Sequence, residues 1–202
     1  MGLLKWLTKI GYTLIRPVFL CDEQLSELER NIVLEERYRW FLQYNNEDNL
    51  VTADQLLEAF KRLYGVDPVF FFACDEVYYV APTLGLLRKW VKYDWTNKLD
   101  YIVNTFDCDN FAALFATRTR LITGWAVTWT VGEIRRLDNN ELIGYHAFCT
   151  CYYLDGKEVR AIAHEPQTNE LSENARFTLY DEDGRPFEVY YKPIDMWPQV
   201  TV

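Results

Sequence analysis

Residues 144–167 read GYHAFCTCYYLDGKEVRAIAHEPQ, two β-prone runs on either side of Asp155-Gly156. An Asp-Gly pair between such runs is the strongest short-range signal for a hairpin closed by a two-residue type I′ turn. A turn of that kind pins the register of the ladder it closes. With Asp155 and Gly156 at its centre, Leu154 faces Lys157, Thr150 faces Ala161, Phe148 faces Ala163, and His146 falls directly opposite Glu165. Directly opposed residues share a face of the sheet, with Cβ atoms about 4.5–5.5 Å apart. The register therefore predicts an imidazole beside a carboxylate. Cys149, Cys151 and His164 fall on the other face as structural residues, while Ala161 and Ala163 leave room for a helix to approach the face that carries His146.

A helix suited to that place precedes the hairpin. In NTFDCDNFAALFA (104–116), Asp107 is a good N-cap, and Phe111, Ala112, Leu114 and Phe115 form the apolar face. Cys108 then lies in the first turn, among backbone N–H groups without intrahelical acceptors, where the helix dipole favours a thiolate. Packed on the alanines, the helix would bring its thiol to the imidazole and complete a Cys-His-Glu triad. Cys108 is the expected nucleophile, His146 the base and later the acid, and Glu165 the group that orients and stabilises the imidazolium. The Cys108 backbone N–H is one expected oxyanion donor, with Asn104, Tyr79 and Gln167 as candidates for a further donor or for support.

Each residue also has a plain reading. A single cysteine is more often a small core hydrophobe, a single histidine a satisfied structural group, and a Glu before Pro166 the end of a strand. It is the conjunction of the three that points to chemistry. An oxygen-rich metal site from Asp107, Asp109, His146 and Glu165 is the competing arrangement. It would suit Mn or Fe, but no C-x-x-C or H-x-x-x-H spacing accompanies it, so neither metal nor other cofactor is expected.

The remaining chain reads as helices followed by an antiparallel meander. Residues 1–20 are basic and amphipathic, a helix for a membrane surface or a partner contact through residues 1–16, and Pro17 closes it. Lysines interrupt its apolar run, so a signal peptide is not expected. An acidic amphipathic helix follows over 22–44, and Thr52 with Gln55 makes a capping box for a helix through Leu63 that Gly65 ends. One strand or two short ones are expected near 70–80, and short helices over 83–93 and 97–104. After Gly124 the pattern turns to period two, with WAVTWTVGEIRRL, the hairpin above, and a last hairpin turning at Asp183-Gly184. This order predicts an α+β domain over 21–202, with the first 20 residues as an appendage.

Half of the 202 residues are hydrophobic and 16% aromatic, enough for one good core. A net charge of −9 excludes a nucleic-acid partner, which needs clustered Lys and Arg. Five cysteines without framework spacing fit a reducing compartment, and cytoplasmic residence is the expectation. Seven Trp and fourteen Tyr could alternatively line a groove for peptide or sugar.

The sequence of a DCD-x-F-A helix start, a glycine-led GYHAF strand and a strand ending in HEPQ resembles the papain-like cysteine hydrolases, in their transglutaminase-like and NlpC/P60-like branches, and more loosely phage proteins with that core. The resemblance spans about residues 94–167. It implies a papain-like fold, and an amide-cleaving peptidase or amidase in which the nucleophile is Cys108, the base His146 and the third member Glu165. Asp107 and Asp109 depart from it, because their charge opposes a thiolate. Glu in place of Asp or Asn, one methylene longer, does so too. A papain-like interaction module without activity, associated with phage, is the alternative that these departures imply.

Overall fold

The structure, a computed structural model, describes residues 47–68, 79–181 and 183–198. The expected helices over 1–20 and 22–44, the boundary at residue 20 and most of the strand near 70–80 lie outside the described residues. The elements are β1 (Leu50–Val51), α1 (Ala53–Tyr64), β2 (Tyr79–Val80), α2 (Leu84–Tyr93), α3 (Cys108–Thr123), β3 (Val127–Arg136), β4 (Leu142–Asp155), β5 (Glu158–Glu165), β6 (Glu170–Ser172), β7 (Arg176–Tyr180) and β8 (Pro186–Pro198). The capping box at Thr52 forms as the sequence predicts, with Thr52 N–H donating to Gln55 Oε1 and Gln55 N–H to Thr52 Oγ1. Gly65 ends α1 at φ 68°. The helix expected over 97–104 is a single 3-10 turn, Thr96–Lys98, followed by a turn through Asn104.

β1 and β2 form a small ribbon, and the other strands form one antiparallel sheet in the order β6-β5-β4-β3-β8-β7. Its two edges, β6 and β7, are joined by only residues 173–175. A flat sheet of six strands would hold its edges about 24 Å apart, while four Cα steps reach at most about 15 Å. The sheet must therefore curl until it nearly closes on itself, and it is barrel-like. This corrects the papain-like architecture that the family resemblance implied. A short connection between sequence neighbours at opposite ends of the strand order dictates a curled sheet, and local patterning carries no trace of that order.

The hairpin closes differently from the expected turn. Asp155 pairs with Glu158, so Gly156 and Lys157 are the central residues, and of the two only Gly156 has positive φ, at 63°. A glycine at the first central position is the type II′ choice. The ladder is thereby slipped two residues, running from Asp155–Glu158 to Cys149–His164, and it ends before His146. Because side chains alternate with period two, a slip of two leaves every residue on its expected face.

The helix expected on the Ala161 and Ala163 face is α1, not α3. Leu56, Ala59 and Phe60 of α1 pack against Ala161 and Tyr152, and Tyr64 reaches into the curl to hydrogen-bond Thr150 at 2.7 Å. The small alanines admit a helix as their size predicts. α3 instead lays Ala112, Phe115 and Ala116 on the opposite face, against Ala147, Cys149, Cys151 and Ile162, with Trp90 of α2 beside them. Cys149 donates its thiol to the Ala112 carbonyl at 3.3 Å, which confirms its structural place.

Candidate functional site

Asp107 caps α3 as expected, so Cys108 is the first helical residue. Asp107 N–H donates to Asn110 Oδ1 at 3.1 Å and Asn110 N–H to Asp109 Oδ1 at 2.9 Å, which ties the first turn down. The cysteine is partly buried at the margin of the core under α3. His146 lies where β4 runs on past the end of its ladder with β5. The imidazole lies near enough to the Cys108 thiol for that group to help raise its pKa, although α3 packs on the other face of the sheet.

His146 Nε2 is 2.5 Å from Glu165 Oε2. In the slipped ladder Glu165 stands diagonal to His146 rather than opposite it, a separation of about 7–8 Å between backbones that long side chains bridge. The extra methylene of Glu supplies that reach. With Nε2 on the carboxylate, Nδ1 is the nitrogen left for the thiol. Glu165 is held on its other oxygen by the Gln167 backbone N–H at 3.1 Å, and Tyr191 of β8 donates its hydroxyl to Oε2 at 3.0 Å.

Burial acts to lower the His146 pKa, but hydrogen bonds to Cys108 and Glu165 outweigh it and raise it from 6.5 to about 9. Burial likewise pushes Glu165 up, and its bonds to His146, Gln167 and Tyr191 pull it below the usual carboxylate range. The pair is an imidazolium and a carboxylate at neutral pH. Asp109 is raised, first by a hydrogen bond shared with Asp107, so the two acids flanking Cys108 bond with each other.

The candidate support residues divide. Gln167 serves through its backbone N–H. Tyr79 lies under the Arg120 guanidinium, 5.4 Å from its ring, at the far end of α3. Twelve helical residues separate Arg120 from Cys108, about 18 Å at 1.5 Å per residue, so Tyr79 is no oxyanion donor. Asn104 is exposed, in a turn at φ 59°. The metal arrangement finds no support either, since Asp107 bonds with Asp109 and Glu165 with His146, and no metal-holding group of three occurs among the described residues.

Two residues escaped the sequence reading. Tyr191 was visible only as one of several strand tyrosines. Tyr101, 52% exposed, stacks on Phe111 and is raised by burial, then by the nearby Cys108, Asp107 and Asp109, so it stands at the mouth of the site.

No family model matches the chain, and no curated protein does. Among solved structures it is similar to Polyporus squamosus lectin bound to a human-type influenza-binding epitope, Neu5Aca2-6Galb1-4GlcNAc, at 16% identity and a TM-score of 0.50. That match covers 73% of this chain and 49% of the lectin's. A PSL1a–E64 complex matches at 18% and 0.50, covering 73% and 51%. The chain spans about half the length of these neighbours. They are structures of a lectin, not of papain-like, transglutaminase-like or NlpC/P60-like hydrolases, and the family resemblance in the short motifs is corrected accordingly.

Proposed function

We propose that the chain is a thiol-dependent hydrolase or acyl transferase acting on an amide bond of a peptide or related substrate. The observation that supports this reading is a single imidazole in contact with both a helix-start thiol and a buried carboxylate. Cys108 attacks the amide carbon as the thiolate of a thiolate–imidazolium pair, its proton already resting on His146. The developing oxyanion meets the Cys108 backbone N–H, which the helix leaves without an acceptor. His146 then returns its proton to the leaving amine as the C–N bond breaks, leaving a thioester. Water, deprotonated by His146, releases the acid; an amine in its place gives acyl transfer. Glu165 stays ionised throughout and balances the imidazolium. The net charge of −9 disfavours anionic polymers as substrates. Thiol chemistry with unpaired Cys108, Cys149 and Cys151 fits a reducing, cytoplasmic setting.

E64, the compound in one neighbouring structure, is an epoxide that alkylates thiolates, and it serves as a direct probe. Incubation at pH 7 followed by peptide mass mapping should give one adduct, at Cys108. The His146→Ala variant should lose it. An unmodified Cys108 in the folded protein contradicts the proposal.

The lectin likeness favours a second reading, carbohydrate binding, for which the exposed Tyr101 ring is the stacking platform. A glycan array would separate the two, since sugar binding should fail in Tyr101→Ala and survive in Cys108→Ala.

A further inference from the structure

We infer that Tyr191 is a positioning residue of the same site, acting through Glu165 to keep the His146 proton transferable. The inference rests on the thiol-hydrolase reading for its purpose and on independent geometry for its substance. Tyr191 and His146 both donate to one atom, Glu165 Oε2, at 3.0 and 2.5 Å. Their rings meet edge to face at 5.3 Å.

The fold builds this contact deliberately. Gly132 of β3 pairs with His146 on one side and Pro193 on the other. A Cβ at Gly132 would lie 2.6 Å from the Lys192 carbonyl oxygen and 3.1 Å from Phe148 Cε1. Its absence opens a lane on the inner face, across which the Tyr191 ring reaches His146. A bulge beside Gly132 shifts the β3–β8 register at that point. Phe177 of β7 stacks on Tyr191 at 4.4 Å and fixes the ring from behind. The groups facing this assembly are Cys108 from α3, Glu170 from β6, and His146 and Glu165 themselves. Burial first, then Glu165, Glu170 and Cys108, oppose ionisation of the phenol, so Tyr191 remains a donor.

A hydroxyl on Oε2 takes up electron density that would otherwise go to the His146 N–H. Without it the carboxylate would grip the imidazolium harder, and delivery of the proton to a leaving amine would slow. Tyr191 thus trades part of the His146–Glu165 bond for turnover.

The test is an NMR titration of the His146 ring in the full chain, with Tyr191→Phe, which keeps both ring contacts and removes only the hydroxyl. The midpoint should move upward from its value in the unaltered protein. Tyr64→Phe, which deletes another inner hydroxyl, one that bonds Thr150 rather than Glu165, should leave it unchanged. A midpoint that stays in place or falls in Tyr191→Phe overturns the inference, since a merely structural tyrosine would alter stability alone. Iodoacetamide labelling of the unaltered protein is the companion measurement. An inert Cys108 removes the hydrolase reading, while the titration still decides whether Tyr191 governs His146.

Discussion

His146 carries a stability signature as well as a chemical one. Its folded pKa, about 9, lies above the 6.5 of an unstructured histidine. A raised value means that protonation favours the folded state, so the contribution is complete below about pH 6.5 and is lost as pH climbs through about 9. That shift corresponds to on the order of 3 kcal/mol. Thermal unfolding should therefore show a midpoint that falls between pH 6.5 and 9, and Glu165→Gln should flatten the fall, because the Glu165 carboxylate is one of the causes that hold the value up. An unchanged slope in that variant would mean that the carboxylate does not grip the ring. Gly132 is the second residue with a sharp expectation. Alanine there drives a methyl into the Lys192 carbonyl, an overpacking that costs about 1–3 kcal/mol. Denaturant unfolding should register the loss, and the displaced β8 should disturb the His146 titration too. A Gly132→Ala protein with full stability would show that the lane can widen freely.

α2 and α3 are joined by a buried ion pair. Asp94, the C-cap of α2, accepts from Arg118 Nε of α3 at 3.0 Å, and both side chains are almost wholly enclosed. The same carboxylate accepts from Thr96 N–H at 2.9 Å, and the Arg118 guanidinium lies 3.8 Å over the Trp95 ring. Removing one partner of such a pair strands the other charge in the interior, at a cost of about 3–5 kcal/mol. Asp94→Ala should lose stability of that order in denaturant unfolding, and adding Arg118→Met should recover much of it. Equal losses in the single and double variants would contradict this account. Helix starts were legible because they depend on neighbours in the chain: the Thr52–Gln55 box and the Asp107 cap both stand where the sequence places them. The hairpin was legible in its face but not in its register. Asp155-Gly156 was read as the turn centre, whereas Gly156, able to take positive φ without strain, occupies the first central place with Lys157 after it.

Which helix would meet which face of the sheet depends on strand order, and strand order is nonlocal. β8 inserts beside β3, more than fifty residues earlier, and that insertion brings Tyr191 to Glu165. No periodicity in FEVYY distinguishes a tyrosine that will donate to the Glu165 carboxylate from one that fills the core. The same order forces the sheet to curl, which turned an expected layered domain into a barrel-like one. α3 then packs outside the curl while His146 lines its inside, so the two can meet only at the rim, where β4 outruns its partner. The pairing of His146 with Glu165 was legible in the sequence because the two-residue slip preserved their face and the length of Glu165 covered the diagonal. Their meeting place was not. The central claim is that this rim activates Cys108, and alkylation by iodoacetamide at pH 6, read by peptide mass, tests it most directly. Cys108 should react faster than a small free thiol, whose pKa is about 8.5, with the buried Cys149 and Cys151 spared, and His146→Ala should remove the advantage. A Cys108 that reacts no faster than the free thiol, with or without His146, would contradict the account.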